Sequence, residues 1–201
     1  MPEPILMRKF YFSLCALLVL TIGVSAAKRP NVVFLVSEDN SIHYLKLYGY
    51  GTNTPNIEAL AKHGLTFNHA FSNSPVCSVA RSTLATSMLA PRGGFQYHRK
   101  SAMAKLPPGY KPWSAMLRKA GYFTTNQRKT DYNFVHDMKE LWDRGPANAA
   151  WRARPAKDTP FFHMQSFAQS HESSLHFPQR VMDNEKTTHD PSKVKLAPYF
   201  P

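Results

Sequence analysis

Only two cysteines occur among the 201 residues, Cys15 and Cys77. Acidic residues are scarce too: 13 Asp and Glu stand against 25 Lys and Arg, a formal net charge of +12. A basic surface suits anionic partners. No nucleic-acid-binding motif accompanies the charge, so no nucleic acid is expected as a partner. The charge fits a sulfated polysaccharide better, or else is expected to be balanced by parts of the protein outside this chain. No internal repeat is present, and after the N-terminal run from Phe10 to Val24 no apolar stretch is long enough to span a membrane. A hydrophobic share of 43% with 19% charged residues excludes wholesale disorder.

That N-terminal run follows Arg8 and Lys9 and ends in Val24-Ser25-Ala26. A basic start, a short apolar stretch and a small-residue end are the marks of a secretory signal peptide. Residues 1–26 are therefore expected to be removed and the protein to be exported, either to the periplasm or fully secreted. Leu14 before Cys15 does not fit a lipoprotein cleavage site. Cys77 then remains alone in a compartment where cysteines usually pair. It is either an inert buried thiol or a cysteine kept for its chemistry.

Strand and helix signals alternate along the rest. Asn31 to Val36 is a nearly continuous apolar, β-branched run and reads as a buried strand, central in a parallel sheet. Thr54-Pro55 opens a helix that Gly64 ends, with Ile57, Leu60 and Ala61 as its apolar face. Leu65 to Phe67 with Ala70 and Phe71 suggests a second, short strand. Ala80 to Met88 reads as a helix, with Cys77 at its expected start. Pro112 starts another, with Trp113, Met116 and Leu117 toward the core and Gly121 as its stop. Tyr122 to Thr125 and Phe161 to Phe167 read as further strands, separated by a Pro- and Arg-rich loop over 143–160. No element is assigned after Ser170. The pattern predicts an α/β fold with a largely parallel sheet flanked by helices. Such sheets place their sites at the carboxyl ends of the strands.

Chemistry-bearing residues gather at those addresses. Glu38 and Asp39 follow the first strand and form an oxygen cluster of the kind that binds Ca²⁺ or Mg²⁺, or else a solvated turn. Cys77 opens a helix, where backbone N–H groups favour an anion. Arg81 lies four residues on, one turn along the same face. Lys129 follows the third expected strand and His171 the fourth. Singly these read as surface charges. Together they supply a nucleophile, cations, an acid and a metal pocket, which is what cleaving an anionic ester requires.

Cys77-Ser78-Val79-Ala80-Arg81-Ser82-Thr83-Leu84-Ala85-Thr86 resembles the signature of the sulfatase family, Cys-x-Pro-x-Arg followed by x-x-Leu-x-Thr-Gly. Four other blocks resemble that family in the same order. They are Arg29 to Val33 with the acidic pair, Thr54 to Ala61, Gly121 to Thr125 leading to Lys129, and Pro160-Phe161-Phe162 leading to His171. Lys129 to Asn133, His171 to Ser173 and Val194 to Pro201 resemble the heparan N-sulfatase branch and related bacterial enzymes, which implies a sulfated, and by that branch an N-sulfated, sugar.

The resemblance implies an alkaline-phosphatase-like α/β fold and a sulfuric ester hydrolase. Cys77 would be oxidised to formylglycine by a separate maturation enzyme, and its hydrated aldehyde would attack the sulfate ester. Glu38, Asp39 and the converted Cys77 would hold the metal, Ca²⁺ or Mg²⁺. Arg81 would steady the aldehyde hydrate, Lys129 and His171 would contact the sulfate, and His171 could protonate the leaving group. A sulfated carbohydrate is the implied substrate. The chain departs from the pattern at Val79, where the signature usually has Pro or Ala, and at Ser87, where it has Gly. Glu38 replaces an Asp, and Asp131 stands where a His is common. Family members are longer, so 27–201 is expected to be the N-terminal part of the catalytic domain. A phosphoesterase of the same superfamily and a non-catalytic, sugar-binding relative stay as alternatives.

Overall fold

The computed structural model describes residues 28–99, 103–145, 150–176, 178 and 180. The expected signal peptide and the Val194 to Pro201 segment lie outside them. The chain divides into Met1–Pro30 and Asn31–Pro201, and every element named here belongs to the second unit.

Three strands form one parallel sheet: β1 (Val32–Ser37), β2 (Phe123–Gln127) and β3 (Phe161–Phe167), in the order β1-β3-β2. The ladders run without interruption, from Val32 beside Phe162 to Ser37 beside Phe167, and from Phe123 beside Phe161 to Gln127 beside Gln165. Parallel neighbours require long crossovers, and these carry the helices: α1 (Pro55–Ala61), α2 (Cys77–Thr86), α3 (Ala90–Gly93), α4 (Trp113–Lys119) and α5 (Met138–Leu141). The expected α/β class and parallel sheet are both present.

β3, not β1, is the middle strand, with Phe161, Phe162, His163, Met164 and Ser166 buried. β1 pairs on one side alone among the described residues. Successive strand side chains face opposite ways, and Val32 and Val36 pack on the core while Val33 and Leu35 stay 53% and 55% exposed. The expected strand at Leu65 to Phe71 does not form. Among the described residues no strand pairs with its backbone, the Tyr48 hydroxyl donates to the Phe67 carbonyl at 2.9 Å, and Leu65, Phe67 and Phe71 are exposed. The apolar face of α1 is likewise uncovered at Ile57 and Leu60. Thr54 does not cap that helix with its side chain; its Oγ1 instead accepts from the Lys46 amide at 3.2 Å and donates to Glu58 Oε1 at 3.3 Å.

The main core lies between the sheet and the helices. Trp113 of α4 sits 4.5 Å from the Phe162 ring and 5.6 Å from Trp142, centroid to centroid. Leu117 joins this cluster, whereas Met116 points outward at 62% exposure. Gly121 ends α4 with φ +84°, a conformation that glycine adopts without steric cost. Val79, Met88, Ala90 and Phe95 form a smaller core beneath α2. Trp151–Ala153, within the loop expected over 143–160, and Glu172–Leu175, where no element is assigned from sequence, are single 3₁₀ turns.

Candidate active site

The carboxyl ends of all three strands meet the start of α2. β1 runs on into Glu38, whose amide donates to the Phe167 carbonyl at 3.2 Å, extending the ladder by one bond. β2 delivers Lys129 two residues past Gln127, and its carbonyl accepts from Asn126 Nδ2 at 3.1 Å and Arg81 Nη1 at 3.0 Å. β3 leads to His171, and α2 places Cys77 in its first turn. Four segments distant in sequence thus converge on one point.

Glu38 is the hub. Its side chain is only 5% exposed, and its two oxygens face different cations. Oε1 pairs with Arg81 Nη2, which also donates to Ser166 Oγ at 2.9 Å. Oε2 accepts from Lys129 Nζ at 2.6 Å. Lys129 Nζ lies 3.3 Å from His171 Nε2, and that nitrogen lies 3.9 Å from Cys77 Sγ and 3.8 Å from Glu38 Oε2. Ser173 Oγ holds the other ring nitrogen at 2.6 Å, so Nε2 faces the site.

Electrostatics follow from this packing. Burial pushes the Glu38 carboxyl up, but the hydrogen bonds and charges of Lys129 and Arg81 outweigh it, and its pKa stands below the ordinary value. Burial likewise pulls the Lys129 ammonium down, and Glu38 with Cys77 more than reverses this. Both groups are therefore held charged. Glu38, Asp39, Cys77 and Arg81 line a cleft of about 790 Å³ that extends past Phe71 and Ser72.

Five of the six expected site residues, Glu38, Cys77, Arg81, Lys129 and His171, come together. Asp39 stands at the margin: its Oδ2 accepts from the Glu172 amide at 3.0 Å and lies 3.9 Å from His171 Nε2. Asp131, at a position where the sulfatase pattern often has His, forms a fork with Arg99, 3.0 Å from Nε and 2.8 Å from Nη2, and lies 3.7 Å from Lys129 Nζ. Arg99, Ser166 and the Ser78–His98 pair at 2.8 Å went unnoticed in the sequence, because each acquires meaning only through a partner 20 to 85 residues away.

The donors for a calcium ion are right in kind and short in number. Ca²⁺ takes six to eight oxygens, and Glu38 and Asp39 supply two carboxylates, one of them already engaged by Arg81 and Lys129. The metal shell is not completed by the described residues.

A cysteine at a helix start, two cations and an imidazole thus gather at the carboxyl ends of a parallel sheet, where such folds place their sites. The profile of the family described as Sulfatase matches residues 30–195, and the chain belongs to that family. An ulvan-active sulfatase of Formosa agariphila is 36% identical over 79% of this chain and 28% of its own length. The N-acetylgalactosamine-6-sulfatase of Rattus norvegicus is 33% identical over 50% of this chain and 21% of its own. The chain thus spans less than a third of the length of these relatives. Among solved structures, a 2-O glycosaminoglycan sulfatase matches 86% of this chain and 41% of its own, with a TM-score of 0.57 at 16% identity. A protein solved with its substrate D-glucosamine-2-N,6-O-disulfate matches 69% of this chain and 34% of its own, also with a TM-score of 0.57 and 16% identity. The alkaline-phosphatase-like α/β fold expected from the sequence is the fold found.

Proposed function

We propose that the protein carrying this chain is exported, to the periplasm or beyond the cell, and hydrolyses sulfate esters, or N-sulfates, of a sulfated carbohydrate, with Cys77 as the precursor of a formylglycine nucleophile. The observation that carries this reading is the convergence of Cys77, Lys129 and His171, with Sγ to Nε2 at 3.9 Å and Nζ to Nε2 at 3.3 Å. A maturation enzyme and its own oxidant would replace the Cys77 thiol by an aldehyde, which water hydrates. One hydrate oxygen attacks sulfur, and the bond from sulfur to the sugar oxygen or nitrogen breaks. His171 gives a proton to that leaving atom. The other hydrate hydroxyl then loses its proton, the C–O bond to sulfate breaks, and the aldehyde returns. Lys129 and the amides at the start of α2 offset the charge of the sulfate oxygens. A basic chain suits an anionic glycan, and the similarity to an ulvan-active sulfatase supports that substrate class. Calcium or magnesium on Glu38 and Asp39 would add Lewis-acid assistance once the rest of its shell is supplied.

The test is sulfate release from sulfated saccharides and an aryl sulfate, with the Cys77 peptide monitored by mass spectrometry. Converted Cys77 without sulfate release overturns the reading, and faster turnover of phosphate esters would place the protein with the phosphoesterases. One feature favours a non-catalytic, glycan-binding relative: Val79, in the position of the signature Pro, is fully buried beside Met88 and Phe95. Binding of a sulfated glycan by a protein that never loses the Cys77 thiol would support that alternative.

A further inference from the structure

Before conversion, Cys77 offers a sulfur atom where the finished enzyme would offer oxygen. That sulfur has two neighbours that suit a different metal. Glu38, Cys77 and His171 each present one ligand atom, and these three lie within 4.8 Å of one another. A carboxylate, a thiolate and an imidazole are the ligand set of zinc, whereas calcium and magnesium take oxygen alone. With metal–ligand bonds of about 2.0–2.3 Å, a tetrahedral zinc ion separates its donors by about 3.3–3.6 Å. The measured 3.9 Å from Sγ to Nε2 and 3.8 Å from Nε2 to Oε2 need to close by only a few tenths of an ångström. Ser173 Oγ, 2.6 Å from His171 Nδ1, fixes the ring with Nε2 toward the other two donors.

A cation already touches two of the three donors. Lys129 Nζ is 2.6 Å from Glu38 Oε2 and 3.3 Å from His171 Nε2. The ammonium does for this cluster what a metal ion would do. It also has somewhere to go, because Asp131 Oδ2 stands 3.7 Å away. Glu38 Oε1 stays with Arg81 throughout, so the carboxylate turns one oxygen to each cation.

We propose that the unconverted, thiol form of this protein binds one Zn²⁺ through Glu38, Cys77 and His171, with Lys129 as the internal cation that the metal displaces. Binding moves the Lys129 ammonium toward Asp131 and releases the Cys77 thiol proton to solvent. The fourth position stays open to water. The inference concerns the thiol form, so it does not depend on the hydrolytic reading.

The test uses the protein produced without a maturation enzyme, its intact Cys77 verified by mass, titrated with Zn²⁺ against a chromophoric chelator and with Co²⁺ as a spectroscopic substitute. Expected are one equivalent of tight Zn²⁺ and a thiolate-to-cobalt charge-transfer band that Zn²⁺ abolishes. Cys77→Ser should remove the band and weaken Zn²⁺ at least tenfold, and His171→Ala should weaken it similarly. Lys129→Met should tighten it about tenfold, a gain that a merely structural lysine would not produce. Absence of the cobalt band in the unsubstituted protein overturns the proposal, and that reading needs no variant to fold. Zinc affinity indifferent to Cys77→Ser, or weakened by Lys129→Met, overturns it as well.

Discussion

Replacing Glu38 by glutamine removes the one negative charge between two cations while leaving the shape of the side chain. In the native protein the Glu38 and Arg81 side chains are 5% and 6% exposed, so water cannot take over the screening. Lys129, at 22% exposure, has a route outward toward Asp131; Arg81 has none, since its guanidinium is also fixed by Ser166 and the Lys129 carbonyl. Taking one partner from a buried ion pair costs about 3–5 kcal/mol. The remaining Ser166 and carbonyl contacts place Glu38→Gln near the lower end of that range. The pH dependence separates charge from packing. The Glu38 pKa is lowered in the folded state, so its contribution is fully present above the ordinary value of 4.5 and is lost as pH falls through the lower, folded value. The variant should be less stable at pH 7, and its stability should fall less than that of the native protein below pH 4.5. Urea unfolding followed by tryptophan fluorescence reads this, because Trp113 and Trp142 stand in the core that the site rests on. A loss under about 1 kcal/mol at pH 7, or an unchanged acid limb, would refute the claim that Glu38 holds the cluster by charge.

Other outcomes follow from single features. Ser87 ends α2 with φ +55°, a left-handed conformation that glycine adopts more cheaply, so Ser87→Gly should raise stability by about 1 kcal/mol in the same urea titration. Burial lowers the His163 pKa from its ordinary 6.5, so the unfolded chain binds the proton first; stability should decline as pH falls from 6.5 toward the folded value, and His163→Gln should flatten that decline. Trp113→Ala removes the ring that meets both Phe162 and Trp142 and should cost about 3–5 kcal/mol, seen as a lowered melting temperature.

Local chemistry was the legible part of this sequence. The run from Phe161 to Phe167 is β-rich along its whole length and forms a strand with those bounds. Gly121 and the start of α2 at Cys77 were likewise marked by residue types whose conformational preferences act within a few positions. Lateral order was not legible. A continuous apolar run such as Val32 to Val36 says that a strand can be buried on both faces, and says nothing of which strand lies beside it. β1 therefore turned out to be an edge of the described sheet, and Leu65 to Phe71, broken by Thr66, Asn68 and His69, pairs with no strand among the described residues. The site shows the same division. Cys77, Arg81, Lys129, His171 and Glu38 were found by position after strands and in one helix turn. The pairing of Arg81 with Glu38 and of Arg99 with Asp131 arises from contacts 43 and 32 residues apart, which no local pattern encodes.

Backbone strain points to what holds those contacts in register. Five described non-glycine residues have positive φ, and four of them adjoin the site: Asp39 (50°), Arg99 (43°), Arg128 (78°) and Asp131 (51°). Such conformations persist only where surroundings over-determine them. Arg99 shows how. Its amide donates to Ser78 Oγ at 3.2 Å and to Asn133 Oδ1 at 3.1 Å, while its side chain forks onto Asp131. Asn133 in turn donates its amide to Ser82 Oγ at 2.7 Å. One arginine therefore ties the helix that carries Cys77 to the loop that carries Lys129, through both backbone and side chain. The aspartate at position 131 gives that guanidinium a fixed planar target, which an imidazole with two single ring nitrogens cannot offer in bidentate form. The departure from the family pattern at this position is thus matched by a partner at Arg99.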